Sequence, residues 1–381
     1  MASKEEKIAY DMQKELDDFL NESSESIESD DIELIPTGIK LLDAHLGGGI
    51  GKGIFVQLVG YPGSFKSTIG IQIAKSFRDH DPNTSILYVD TENSMTKERL
   101  DDIGLSRISL RYNYTIETLF NEIFKICELK KEKNITDTPT VIIWDSIANT
   151  NSDADSKSLD VNQTIGQKAK LLSQKLPSIL NNIRKSNITI VAINQLRTSI
   201  SIGPFSNNTP DLKHLGADDT IPGGRSISYN SSQLLECKVK TSYDEEKNPS
   251  PYGFRTSIIK IKTVKNKFFP DNYTFEYIVD VAHGIDDLYT SFEMLKKFKK
   301  INAGAWNYFP ELSDVKFRQN KLRDTYLSNP EFKKLFDSSI DQVLNELTSK
   351  MKKQQIIQSD ESEESEPKES TVDDIFAEAQ E

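Results

Sequence analysis

Eight residues that follow an apolar run raise the first chemical question. Gly60-Tyr61-Pro62-Gly63-Ser64-Phe65-Lys66-Ser67 fits the phosphate-binding loop GxxxxGK[ST] at every fixed position except Phe65. In such a loop, backbone N–H groups at a helix N-terminus cradle phosphates, a lysine meets the β and γ phosphates, and a hydroxyl holds Mg²⁺. Lys66 and Ser67 supply the last two, and Thr68 leads into the helix. Phe65 stands where glycine relieves backbone crowding, so by itself the match could be accidental. Three further apolar runs end in polar residues: Asp90-Thr91-Glu92, Asp145-Ser146 and Asn194-Gln195-Leu196-Arg197. Asp145 suits the second, acidic partner of Mg²⁺. Glu92 can position and activate an attacking water, and Gln195 can read a γ-phosphate through an amide hydrogen bond that hydrolysis breaks. Taken singly, each is an ordinary strand-end or turn residue; together they point to ATP hydrolysis with Mg²⁺.

Four strands have to carry these residues to one edge. The runs 54–59, 86–89, 141–144 and 188–192 are continuously rich in Val and Ile, as strands buried on both faces of a parallel sheet are. Helical patterns over 68–77, 116–129 and 166–185 separate them, as βαβ units require. The expected fold is α/β, a doubly wound and mainly parallel sheet that binds its ligand at the carboxyl ends of the strands. Three stretches of period two, 233–241, 256–264 and 273–281, are expected to extend the sheet with antiparallel strands. The chain divides by pattern into an N-terminal helix and acidic linker (1–34), the ATPase core (35–284), a small α-rich C-terminal domain (285–358) and an acidic tail (359–381) too poor in apolar residues to fold. Ile8, Met12, Leu16, Phe19 and Leu20 give the first helix an apolar stripe, for its own core or for a neighbouring subunit.

Composition narrows the classes of function. Of 381 residues 36% are apolar, enough for a full core. Cys127 and Cys237, 110 positions apart, exclude a disulfide framework and a four-thiolate metal site. No apolar run approaches the roughly 18 residues that cross a membrane, and the acidic start does not read as a signal peptide, so a cytoplasmic protein without membrane partners is expected. The net charge of −12 is concentrated at the ends. Residues 1–34 hold 12 acidic and 3 basic residues and 359–381 hold 10 and 1, leaving 43 basic and 37 acidic residues between them, a net of +6. A nucleic-acid face on the core is therefore allowed. Two long polar stretches, 149–163 and the segment after Arg197, leave the carboxyl ends of their strands and could report phosphate state elsewhere, if they are more than surface loops.

These segments stand in a known order. PTGIKLLDAHLGGGIGKG, GYPGSFKST, YVDTEN, VIIWDSIA, INQLR, PGGRSISYNSS, TVKNK and AGAW, over roughly residues 35–310, resemble the RecA-type recombinases, and the SFKS ending resembles the branch of T4-like bacteriophages, the UvsX recombinases. The resemblance implies that the loop from Gly60 to Thr68 binds ATP, that Ser67 and Asp145 hold Mg²⁺, that Glu92 is the catalytic carboxylate, and that Gln195 couples the γ-phosphate to the following loop. It further implies that 149–165 and 197–223 are DNA-binding loops, and that Lys265 and Lys267 reach the ATP of the adjacent subunit. Two positions depart from the bacterial pattern: Arg99 stands where an aromatic residue lies beside the adenine, and Tyr229 replaces an interface phenylalanine.

The implied function is ATP-dependent pairing and strand exchange by a homo-oligomeric helical filament on single-stranded DNA, with homologous duplex DNA as the second substrate. Arg197, Lys213, His214 and Arg225 are the candidate DNA contacts, of which Arg197 and Arg225 occupy motif-fixed positions. A single-strand-binding protein and a recombination mediator are implied as partners, and a host-cell cytoplasm as the location. Two alternatives share the strand-end residues: a hexameric RecA-fold helicase working as a closed ring, and a regulator that binds nucleotide without turnover. The acidic tail suggests a mimic of DNA that competes for the basic groove, or a solubilising tail.

Overall fold

The computed structural model describes Lys14 and residues 32–154, 161–198, 212, 214–216, 219–244, 247–361 and 370–371. The chain divides into two compact units, Met1–Glu33 and Leu34–Glu381. The helix expected near the N-terminus lies outside the described residues, of which only Lys14 in that stretch is described, as helical.

The second unit is built on a ten-stranded sheet. Two short strands, β1 (Leu34–Ile35) and β2 (Ile50–Gly51), pair with each other around helix α1 (Lys40–Leu46). The sheet then begins with β3 (Phe55–Gly60), followed by α2 (Lys66–His80), β4 (Ser85–Asp90), α3 (Lys97–Asp102), β5 (Ser109–Tyr112), α4 (Ile116–Glu132), β6 (Thr140–Asp145), α5 (Val161–Lys185) and β7 (Ile188–Gln195). In space the order is β3-β7-β6-β4-β5, all parallel. The doubly wound α/β fold expected from the four apolar runs is therefore the fold observed.

Alternation along these strands buries both faces. Ile142, Trp144, Ile190 and Ala192 face a core with Leu119, Phe120 and Ile123 of α4 and Leu172, Leu176, Ile179 and Ile183 of α5. The intervening Ile143, Val191 and Ile193 lie against Gly70 of α2, where an added Cβ would come within 3.4 to 3.8 Å of them. Helices thus cover the sheet on both sides, which is why the strand sequences read as unbroken apolar runs. The threonines Thr96 and Thr115 cap α3 and α4 by accepting from the N–H groups of Arg99 and Thr118.

Beyond β3 the sheet continues through β10 (Gln233–Ser242), β11 (Thr256–Asn266) and β12 (Tyr273–Asp280). Between β7 and β10 lie the short pair β8 (Arg197–Thr198) and β9 (Asp219–Thr220), then α6 (Arg225–Asn230). One expectation needs correction here. β11 and β12 are antiparallel as expected, but β10 runs parallel to β3 over Gln233–Glu236. Period two reports which face is buried and carries no information on chain direction. Strand β5, polar and largely exposed, was not foreseen.

The chain finishes in β13 (Gly284–Ile285), α7 (Asp287–Lys297), α8 (Leu322–Ser328), α9 (Pro330–Glu361) and β14 (Ser370–Thr371). Helices α7 and α9 pack on α1 within the same unit, and Lys40 of α1 pairs with Asp341 of α9 at 2.9 Å. The tail differs from expectation as well: α9 runs on to Glu361, and Ser370–Thr371 pair in parallel with Tyr273–Thr274. An outer strand offers unpaired backbone donors and acceptors, which even a polar segment can satisfy.

Candidate active site

The parallel strands bring their polar ends together. One cavity of about 380 Å³ is lined by Pro62 to Thr68, Glu92, Arg99, Asp145, Ile193 and Gln195. Four separate segments that sequence singled out therefore converge, and Arg99 joins them from exposed helix α3.

The loop between β3 and α2 has the backbone that its motif requires. Gly60 lies so near the next strand that a Cβ would stand 2.2 Å from the Cys237 carbonyl oxygen. Phe65 adopts the left-handed region (φ 62°) where glycine would be unstrained, at a cost of about 1–2 kcal/mol, and begins α2 without a side-chain cap. The first N–H groups of α2 thus stay available to an anion. Lys66 is 7% exposed, and its Nζ donates to the Tyr61 carbonyl (2.8 Å) and to Ser64 Oγ (3.1 Å), two neutral oxygens. Burial pushes its pKa down, while Cys237, Asp145 and Glu92 act against that. A buried ammonium bonded to neutral oxygens is an arrangement that an anion such as phosphate would complete.

Asp145, at the end of β6, is 2% exposed, and its Oδ2 accepts from Tyr88 Oη at 2.6 Å. Burial raises the Asp145 pKa, opposed by hydrogen bonds from Tyr88 and Ser67. The donor set of a serine hydroxyl and a carboxylate is the hard-oxygen chemistry that suits Mg²⁺. Next to it Thr91 joins two strand ends: its N–H donates to the Asp145 carbonyl (2.7 Å), and the Ser146 N–H donates to its Oγ1 (2.9 Å). Asp90, fully buried, accepts from the backbone N–H groups of Glu92 (3.0 Å) and Met95 (2.7 Å), fixing the turn that presents Glu92.

Glu92 is exposed, and its Oε1 accepts three hydrogen bonds: from Ser146 Oγ (3.0 Å), Asn149 Nδ2 (2.8 Å) and Gln195 Nε2 (3.0 Å). Tyr61 reaches the other way, bonding Asp219 Oδ1 (2.5 Å) and Thr198 Oγ1 (2.9 Å) on the β8–β9 pair. The Gly60–Ser67 loop and Glu92 thus both touch the bases of long loops.

The remaining predicted residues lie elsewhere. Lys265 and Lys267, at the end of β11, are not among the cavity's lining. Lys265 Nζ donates to the Tyr229 carbonyl (2.5 Å), so two residues assigned to the subunit interface are neighbours; burial and Lys267 lower the Lys265 pKa. Tyr229 itself is 60% exposed. Of the DNA candidates, Arg197 is exposed on β8, Arg225 opens α6, and His214 Nε2 lies 3.6 Å from Asp271 Oδ1. Lys213 lies outside the described residues. Sequence reasoning missed Tyr88, Ser146 and Asn149. An inward tyrosine in an apolar strand carries no mark of its partner, whereas Ser146 marks a polar strand end and Asn149 opens a polar stretch without either pointing to Glu92 as its partner.

Among the described residues no cluster of His, Cys, Asp or Glu forms a metal site, and no helix is long and apolar enough to cross a membrane. Both cysteines are buried and unpaired. The sequence profile of the RecA N-terminal domain matches residues 20–286. The chain is similar to the protein RecA of Malacoplasma penetrans, 28% identical over 335 residues, which are 85% of this chain and 93% of that one. It is also similar to the protein RecA of Campylobacter lari (28% over 260 residues; 68% of this chain and 69% of that one) and of Aquifex aeolicus (26% over 285 residues; 74% and 75%).

Proposed function

The chain belongs to the RecA family, as a recombinase and DNA-dependent ATPase of that type, and from that membership we propose that it exchanges homologous DNA strands as an ATP-bound filament. In this reading it assembles as a homo-oligomeric helix on single-stranded DNA, admits a homologous duplex, and serves recombination, repair and recombination-dependent replication. The SFKS loop ending supports the branch of T4-like phages, hence a host-cell cytoplasm, with a single-strand-binding protein and a mediator as partners.

The observation that carries the reading is the single cavity that collects Lys66, Ser67, Glu92, Asp145 and Gln195 at the roots of two long loops. The N-terminus of α2 and Lys66 bind the phosphates, and Ser67 with Asp145 would hold Mg²⁺. The ion, when bound, supplies positive charge to the phosphate oxygens as negative charge develops on them. Glu92 orients the attacking water and takes its proton. Gln195, bonded to Glu92 at 3.0 Å, passes a change at that carboxylate to the loop it begins. Lys265 and Lys267, which do not line their own cavity, would stabilise transition-state charge in the adjacent subunit, so turnover depends on stacking. Arg197, Lys213, His214 and Arg225 would contact backbone phosphates, which makes affinity independent of sequence and steeply salt-dependent.

The test is steady-state ATP hydrolysis with and without single-stranded DNA for the wild type and Lys66→Ala. Strong stimulation by DNA that the substitution abolishes, by roughly 100-fold or more, supports the reading. Turnover indifferent to DNA, or closed rings in place of filaments by electron microscopy, would return the helicase reading.

A further inference from the structure

Another cavity, of about 740 Å³, lies where the C-terminal helices meet α1. Its walls come from β13, α7, α8 and α9, with Lys40 of α1 and Phe254 just before β11. It shares no lining residue with the cavity that holds Lys66 and Glu92. Ile285, Phe336 and Ile340, each buried, make much of it apolar. A concave, largely apolar space of this size with a few polar groups in it is the usual form of a small-molecule site.

Two of its polar groups stand side by side. Asp287 and Ser291 line the cavity four residues apart on α7, and so on one face of that helix. Ser291 is 1% exposed, and among the described residues its Oγ has no hydrogen-bond partner. Asp287 is half-buried, and its Oδ1 accepts from the backbone N–H of Lys40 at 2.7 Å, whereas the Lys40 ammonium turns to Asp341 at 2.9 Å. Burial raises the Asp287 carboxyl to about 6, so its charge is poorly answered. The other carboxylates of the lining are engaged: Asp286 by Arg323, Asp280 by His283 Nδ1 at 3.1 Å, and Asp337 by the Tyr326 hydroxyl at 2.9 Å. A desolvated carboxylate beside an unpartnered buried hydroxyl is a pair of acceptors short of a donor, and a donor that carries positive charge answers both.

We propose that this cavity binds a small aliphatic amine, its ammonium between Asp287 and Ser291 and its alkyl chain over Phe336 and Ile340. An ammonium has three donors and no acceptor, so it can serve the carboxylate and the hydroxyl together. The cations already present argue for a ligand of single charge and against a polybasic segment of another protein. Lys40 and Arg323 are 36% and 52% exposed, in pairs with Asp341 and Asp286, and a run of basic residues passing over the cavity would meet both. The chain's own arms, 1–34 and 359–381, are acidic and would be repelled by Asp287.

The experiment titrates n-hexylamine into the full chain by isothermal calorimetry, with n-hexanol as a neutral probe of the same shape. Saturable binding of the amine at one site per chain is expected, with the alcohol weaker by roughly tenfold or more. Asp287→Asn, which keeps an acceptor for the Lys40 N–H, should weaken the amine by about tenfold, and Ser291→Ala by about threefold. Asp79→Asn makes the same change of charge at an exposed carboxylate of α2 and should leave binding as in the wild type, as should saturating ADP. Absence of saturable binding, equal binding of the alcohol, equal losses in Asp79→Asn and Asp287→Asn, or displacement by ADP would each overturn the proposal. So would binding of the peptide acetyl-Leu-Lys-Leu-amide roughly tenfold tighter than the amine, which would make the ligand a lysine of a partner protein. The amine and alcohol are compared on the wild type, so the decision does not depend on whether a variant folds.

Discussion

The parallel and antiparallel parts of the sheet use their polar residues differently. In the parallel part β3, β4, β6 and β7 run the same way, and their last residues, Gly60, Asp90, Asp145 and Gln195, reach one edge together. In the other part β11 and β12 reverse direction, so no edge collects their ends, and polar groups are spent on each other. His45, fully buried beside these strands, bonds Tyr277 Oη at 3.0 Å and the Tyr273 carbonyl at 2.9 Å. Repeated chain direction gathers chemistry at a cleft, whereas alternating direction gives polar groups only structural partners. Lys265 and Lys267 are the exception, and they are the residues proposed to act on another subunit.

Asp145→Asn tests the parallel side most severely. Turnover is expected to fall by roughly 100-fold or more, while the melting temperature holds or rises, because a desolvated carboxylate is replaced by a neutral group of the same shape. Steady-state hydrolysis and a thermal melt measure both; a large loss of stability would make Asp145 a fold residue and blur the contrast.

His45→Gln tests the antiparallel side. Burial holds the imidazole pKa down at about 3 in the folded chain against 6.5 when unfolded. As pH falls through 6.5 the unfolded state takes up a proton that the folded state refuses until about 3. Stability is therefore complete above pH 6.5 and is lost progressively below it, by about 2 kcal/mol between pH 7 and pH 5 from this group. Asp287, its carboxyl raised to about 6 by burial, acts in the opposite sense, so the histidine is read from the difference between variant and wild type in denaturant titrations. A variant with the wild-type pH slope would show that His45 is not the group responsible. ATP turnover per folded molecule should not change.

The smallest effect is expected at Tyr88→Phe, which joins the two behaviours in a single residue. Its phenol is buried like those beside His45, yet it donates to Asp145. Loss of that bond should raise the Mg²⁺ concentration for half-maximal turnover, by about fivefold, with little change in the rate at saturating Mg²⁺. An unchanged Mg²⁺ requirement would leave Tyr88 a packing residue.

The parallel strands were legible because a strand covered by helices on both faces has to be apolar at every position, as Val141–Trp144 is. The convergence of their polar ends on one cavity was legible because a motif fixes residue types within a few positions. Strand β5 was hidden by its exposure: Ser109, Leu110, Arg111 and Tyr112 have water on one side and make no apolar run. The direction of β10 was hidden because alternation is the same for both directions. Contacts across the site were the least accessible. The partner of Asn149 is 57 positions away, and nothing local to either residue records it. Side-chain partnership between distant strands is set by register, which pattern reading does not supply.

The short pairing of Ser370–Thr371 on β12 has a practical side. The outer flank of β12 is covered at one end by β13 and at the other by this dipeptide from the acidic tail. A chain cut after Glu361 loses the second cover and leaves backbone donors and acceptors open to a like edge on another molecule, the usual route to sheet-to-sheet sticking. A chain cut after Thr371 keeps it. Truncation series aimed at the tail's charge therefore also vary the colloidal behaviour of the protein, and the two effects separate only when the cut falls on the far side of Thr371.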